Sequence, residues 1–219
     1  MDKPLNLSLL YTANLRGDLT LLPRLFTFMQ RLIALAGSGS LILDLGMACD
    51  NAVPHCWQTG GRSMLIALDG LGYHAANIDG AIDARSRMLL DRQVTMALVD
   101  SAHDWRPRLP QLVDDGILLT IRPSEKCARL QICLRPAERT RIDGNVLYLR
   151  DVRAGQVGAA SLDLSRGPRL IDSAVHELPP DTPPNPGITS AIEFVESEAR
   201  LFHRRSTAAP ESDALANNK

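Results

Sequence analysis

The segment Ser40-Leu41-Ile42-Leu43-Asp44-Leu45-Gly46 is apolar at nearly every position, the pattern of a strand covered on both faces inside a parallel sheet. What precedes it agrees. Leu5–Tyr11 is a short apolar run with partial alternation, bounded by Asn14 and Gly17, and reads as an opening strand. Between the two, Leu19, Leu22, Leu25, Phe26, Met29, Leu32, Ile33 and Ala36 recur at intervals of three and four, and Gly37-Ser38-Gly39 ends the pattern. A strand, helix, strand succession within one sheet implies a right-handed crossover. Ala48–Gly61 reads as a loop, Ser63–Leu71 as a second helix closed by Gly72, and His74–Ile78 as a third strand. A helix at Ala81–Arg92 and a strand at Val94–Val99 follow.

The second half changes character. Extended runs at Ile117–Ile121, Leu130–Leu134, Val146–Leu149, Val157–Leu164 and Leu170–Val175 follow one another, with the hairpin signal Asp143-Gly144-Asn145 between two of them. The class is therefore α/β, parallel βαβ in the first half and mainly antiparallel in the second. Leu178-Pro179-Pro180-Asp181-Thr182-Pro183-Pro184-Asn185-Pro186 is restricted by its prolines to an extended strap. It leads to a last helix whose stripe is Ile188, Ile192, Val195, Ala199 and Phe202. Residues 206–219 have little apolar content and no periodicity, which predicts a disordered tail behind a single domain at 1–205.

Composition closes off several functions. The chain has 219 residues, and its 24 Lys plus Arg nearly cancel 25 Asp plus Glu. A chain without a basic excess is not expected to bind nucleic acid or an anionic membrane. Nine aromatic residues are too few for a base-stacking platform. No apolar run is expected to span a bilayer, and the short, acidic-headed start is no secretory signal, so the expected compartment is the cytosol. Cys49, Cys56, Cys127 and Cys133 contain no C-x-x-C pair and read as reduced thiols. Cys49, His55 and Cys56 offer three zinc ligands at a spacing that is not a standard one, against the alternative of thiols packed in a loop.

The order of short stretches resembles the catalytic domain of the 5′-nucleotidase branch of the calcineurin-like metallophosphoesterases. That family opens with a strand ending T-N-D-L-H-G, where this chain has Thr12-Ala13-Asn14-Leu15-Arg16-Gly17. Its next strand ends L-D-A-G-D, against Leu43-Asp44-Leu45-Gly46-Met47. A helix ending A-L-G-Y and a strand ending G-N-H-E-F-D have counterparts in Leu71-Gly72-Tyr73 and Ile78-Asp79-Gly80-Ala81-Ile82-Asp83. Asp143–Leu149 and Gln156–Leu164 look like the family's closing strands, so the likeness runs over about residues 5–200. The resemblance implies an α/β/β/α sandwich with two mixed sheets and, in the family, two divalent metal ions at the strand ends.

The family's ligands do not carry over with the motifs. Asn14 stands for the first Asp, Arg16 for the first His and Met47 for the bridging Asp. The third motif offers Asp79-Gly80-Ala81 or Gly80-Ala81-Ile82, depending on register. A thioether is a poor ligand for hard cations, and a guanidinium in the same shell repels them. The expectation is therefore a chain without a cofactor, acting as a non-catalytic scaffold or binding protein with a protein partner or as a homo-oligomer.

Two other readings stay open. One is an active phosphoesterase whose site is rebuilt from Asp44, Asp79, Asp83 and the Cys49-His55-Cys56 loop. The other is a small-anion module for a phosphate-bearing ligand, with Arg16 as donor and Gly60 and Gly61 at a helix start. Arg16 has a plainer alternative, pairing with Asp79 or Asp83 or pointing to solvent. Ser63 lacks a G-x-S-x-G elbow, and His74 and His176 sit in apolar stretches that suit structural histidines.

Overall fold

Alternation along β1 (Asn6–Thr12) divides the molecule into two cores. Leu7, Leu9 and Tyr11 enter one, Leu10 the other, and all four are buried. The computed structural model describes residues 5–36, 39–108, 116–124, 128–193 and 196–197. The expected tail 206–219, the stripe residues Val195, Ala199 and Phe202, and Cys127 lie outside the described residues.

β1 sits inside a six-stranded sheet in the order β10, β9, β1, β2, β3, β4. Its other members are β2 (Ser40–Asp44), β3 (Ala75–Asn77), β4 (Ala97–Val99), β9 (Gln156–Asp163) and β10 (Arg169–Glu177). β1 to β4 run parallel, and β9 and β10 close the edge antiparallel. The continuous apolar run that marks β2 is explained by this position. Leu41, Leu43 and Leu45 face the second sheet while Ile42 faces helices. The second sheet has the order β5 (Ile117–Thr120), β6 (Leu130–Ala137), β8 (Val146–Arg150), β7 (Arg141–Asp143). In the second half β7/β8 and β9/β10 pair antiparallel as expected, while β5/β6 and β6/β8 pair in parallel.

Helices cover the first sheet. Leu19–Leu21 forms a 3-10 turn that runs into α1 (Leu22–Ala36), where Leu22, Leu25, Phe28, Met29 and Leu32 are buried. Leu19–Ala36 has mean hydropathy 1.3 over 18 residues and is, by length and composition, long and apolar enough to cross a membrane, contrary to the sequence expectation. In the fold its stripe is spent on the core. α2 (Pro54–Thr59) interrupts the stretch expected to be a loop, with Pro54 in its first turn and Gly60 left-handed at its end. α3 (Arg62–Gly70), α4 (Ala84–Leu90) and the start of the last helix add Met64, Leu65, Leu68, Leu90 and Ile192 to the same core. Arg24 on α1 ties down the proline strap, donating to the carbonyls of Thr182, Pro179 and Pro180 at 3.1, 2.8 and 2.8 Å.

One position requires glycine for a close approach. Gly158 on β9 lies opposite Tyr11 on β1, and the tyrosine ring fills the space a Cβ would occupy.

Candidate functional site

The carboxyl ends of β1, β2 and β3 meet at one rim, because parallel strands deliver their ends to the same side of a sheet. Two loops leave that rim hydrogen-bonded to each other. Leu45 N–H donates to Thr12 O at 2.8 Å, Asn14 N–H to Gly46 O at 3.0 Å, Arg16 N–H to Met47 O at 2.9 Å, and Gly17 N–H to Ala48 O at 2.7 Å. This ladder holds three non-glycine residues left-handed, Asn14 at φ 57°, Arg16 at 50° and Met47 at 58°, the only such residues among those described. Asparagine tolerates that region; Arg16 and Met47 store on the order of 1 kcal/mol each.

The polar side chains at the rim are engaged in holding the fold. Asn14 Nδ2 donates to Asp151 Oδ1 and Val152 O, both at 2.8 Å, anchoring the loop after β8. Asn77 Nδ2 donates to Leu45 O at 3.0 Å and Leu134 O at 3.1 Å, joining the two sheets, while its Oδ1 accepts Asp79 N–H at 3.0 Å. Asp79 accepts from Arg135 at 3.1 Å and from Ser101 N–H at 3.3 Å. Burial works to raise the Asp79 carboxyl, but those donors together hold it below the usual carboxylate range. Arg16, considered as a partner for Asp79, is exposed at the rim, and Arg135 takes the place at Asp79.

Asp44 points inward. It is fully buried, accepts Thr12 Oγ1 at 3.3 Å and Gly46 N–H at 3.0 Å, and Thr12 in turn meets Tyr73 OH at 2.9 Å. Desolvation pushes its pKa up to about 8, against the lowering effect of those bonds. Asp83 is spent as the cap of α4, accepting Ser86 N–H at 2.6 Å. Gly60 and Gly61 are closed in rather than open to a ligand. A Cβ on Gly60 would stand 2.6 Å from Ser86 Oγ, and one on Gly61 2.8 Å from Ile82 Cγ2. Gly80 is exposed at the rim. His74 Nδ1 accepts Ile42 N–H at 3.0 Å, which makes it structural.

The reduced state expected for all four cysteines is overturned at one pair. Cys49 and Cys56 form a disulfide with their Cα atoms 5.6 Å apart, and Cys133 is free and buried. The turn into α2 brings residues seven apart in sequence within disulfide reach, which spacing along the chain does not reveal. His55, between them, bonds Ser63 Oγ through Nδ1 and Gly17 O through Nε2, both at 2.8 Å. Beside this loop is a cavity of about 350 Å³ walled by Met47, Cys49, Asp50, Asn77, Asp79 and Gly80. Asn77 and Asp50 are the site residues sequence reasoning missed. An Asn at the end of an apolar strand was the available signal.

Two sheets stacked face to face, helices on the first, and a rim built from the ends of β1 to β3 match known structures. The fold is that of the calcineurin-like phosphoesterases. The calcineurin-like phosphoesterase YfkN from Bacillus subtilis aligns with TM-score 0.62 and 9% identity over 92% of this chain and 100% of that one. The sulfate thiohydrolase SoxB of Thermus thermophilus gives TM-score 0.59 at 11% identity, covering 91% of this chain and 61% of the other. A 5′-nucleotidase precursor from the same organism gives 0.56 at 12%, covering 93% and 59%. This chain thus spans about 60% of the length of these last two. No family model and no curated protein matches the sequence.

These neighbours correct one expectation. The sequence reading assigned no cofactor, whereas the phosphoesterase fold implies a pair of metal ions, so the absence of a cofactor does not stand. The donor set is a separate observation. Among the described residues no three His, Cys, Asp or Glu side chains gather as a metal-holding group. At the rim Asn14 and Asn77 present N–H donors already bonded to oxygen, Met47 presents a thioether, and the Asp44 carboxyl is turned into the interior. These residues do not fit a carboxylate-bridged dinuclear centre.

Proposed function

We propose that this chain is a non-catalytic binding protein on a calcineurin-like phosphoesterase fold, with its ligand site in the cavity beyond β2 and β3. The observation that carries the reading is the engagement of Asn77. One amide ties the two sheets together and supports Asp79, so a polar residue of the cavity wall acts as a brace. Asp79 is held by Arg135, Asp83 by its helix and Asp44 by the interior, so each of the three carboxylates of the rebuilt-site reading is already engaged in the fold. The cavity itself remains, with Asp50 and Asp79 on its wall as polar contacts for a small ligand or a protein loop.

The test is turnover. Purified protein supplied with manganese is expected to release nothing above buffer from p-nitrophenyl phosphate or nucleoside monophosphates, and Asp79→Ala is expected to change nothing. Turnover in the parent that disappears in Asp79→Ala overturns the reading and restores the phosphoesterase with a rebuilt site.

A further inference from the structure

The Cys49–Cys56 disulfide is built asymmetrically. Cys49 is half-buried and forms part of the cavity wall, whereas Cys56 is 0% exposed, with Gly17 packed so tightly on it that a Cβ there would meet its Sγ at 2.9 Å. Of the two cysteines, only Cys49 lines space that a reagent can enter.

Polar groups behind the exposed sulfur form a relay. A carbonyl only accepts, so His55 Nε2 must carry the proton it shares with Gly17 O, and Nδ1 is then the acceptor. Ser63 Oγ, 2.8 Å away, accordingly donates to Nδ1, and it lies 3.9 Å from Cys49 Sγ. In the reduced chain a Cys49 thiol has a path for its proton through the Ser63 hydroxyl to the His55 ring.

The geometry points to Cys49 as a thiol-exchange site that opens into the cavity and takes low-molecular-weight thiols and disulfides, with Cys56 as its resolving partner. Starting from the dithiol, the Cys49 thiolate attacks a small disulfide RSSR, forming a Cys49–SR mixed disulfide and releasing one RS⁻. Cys56, after giving up its proton, attacks the Cys49 sulfur, expels the second RS⁻ and closes the protein disulfide. In reverse, an incoming thiolate attacks Cys49 from the cavity and Cys56 leaves. Exchange follows access and thiolate character. The inference goes beyond the binding function and holds whatever the cavity binds.

Single-cysteine variants of the full chain test it. Oxidised glutathione under native conditions is expected to form a mixed disulfide on Cys49 in Cys56→Ser, and to leave Cys56 unmodified in Cys49→Ser, as read by peptide mass mapping. Should either variant fail to fold, the parent chain reduced with dithiothreitol gives the same answer. Its Cys49 should react with iodoacetamide at least about tenfold faster than Cys56, and Cys133, whose thiol burial holds above its usual range, serves as the unreactive reference. Equal rates at the two sulfurs, or faster reaction at Cys56, overturn the assignment. Ser63→Ala is expected to shift the pH profile of Cys49 alkylation upward, and an unmoved profile removes the relay.

Discussion

Replacing Asp44 by asparagine isolates an ionisation that folding opposes. The carboxyl is fully buried, and burial outweighs the Gly46 amide and the Thr12 hydroxyl in pushing its pKa from 3.8 to about 8. At neutral pH the folded protein keeps this proton while the unfolded chain has lost it. Because the folded value is the raised one, the group's contribution to stability is complete below about pH 4 and is lost as pH rises towards 8. The full effect spans roughly four pH units at about 1.4 kcal/mol each, so it is on the order of 5 kcal/mol, comparable with the low end of a domain's whole stability. Asparagine is neutral throughout and retains an oxygen for Gly46 N–H. Urea unfolding of parent and Asp44→Asn at pH 5, 6, 7 and 8 is the assay. The stability difference, parent minus variant, should fall by about 1 kcal/mol per unit, the histidines and surface acids cancelling between the two proteins. A difference that stays flat over that range refutes the reasoning and means that water reaches the Asp44 carboxyl.

Three further outcomes follow from particular contacts. Met47→Gly relieves a left-handed side chain that is 49% exposed, and thermal denaturation should show a gain of up to about 1 kcal/mol after the entropy cost of glycine. Asn77→Ala removes two donors that join the sheets and leaves the Leu45 and Leu134 carbonyls unpaired, for a loss of about 2–3 kcal/mol in urea unfolding. Arg24→Ala releases three carbonyls of the proline strap, and limited proteolysis should cut within 178–186 faster while the melting of the sheets changes by no more than about 2 kcal/mol.

Much of the element order was legible because burial on two sides and on one side leave different periods. The two-sided strand at Ser40–Gly46 and the stripe from Leu19 to Ala36 became β2 and the turn-plus-helix at Leu19–Ala36, while the turn at Asp143-Gly144-Asn145 joins β8 to the short β7, a strand the apolar runs did not mark, and not to β6. α2 was missed because six residues carry too little periodicity, although Pro54 and Gly60 bracket it. The parallel pairing of β5, β6 and β8 was missed because short apolar runs look alike whichever way they pair.

At the candidate site the substitutions at positions 14, 16 and 47 were visible, but their consequences were not. Asn14 meets Asp151 across 137 residues, Asn77 meets Leu134 across 57, and Arg135 rather than Arg16 meets Asp79. The Cys49–Cys56 bond depended equally on how the loop folds back on itself.

The sequence by itself determined the longer strands and helices, since these follow from local periodicity and from the prolines and glycines that interrupt it. Tertiary structure alone decided which polar groups become braces, which carboxyl is sealed inside and which sulfur faces the cavity. Those outcomes depend on distances between segments far apart in the chain, and a buried amide or carboxylate takes whatever partner the packed sheets bring within reach.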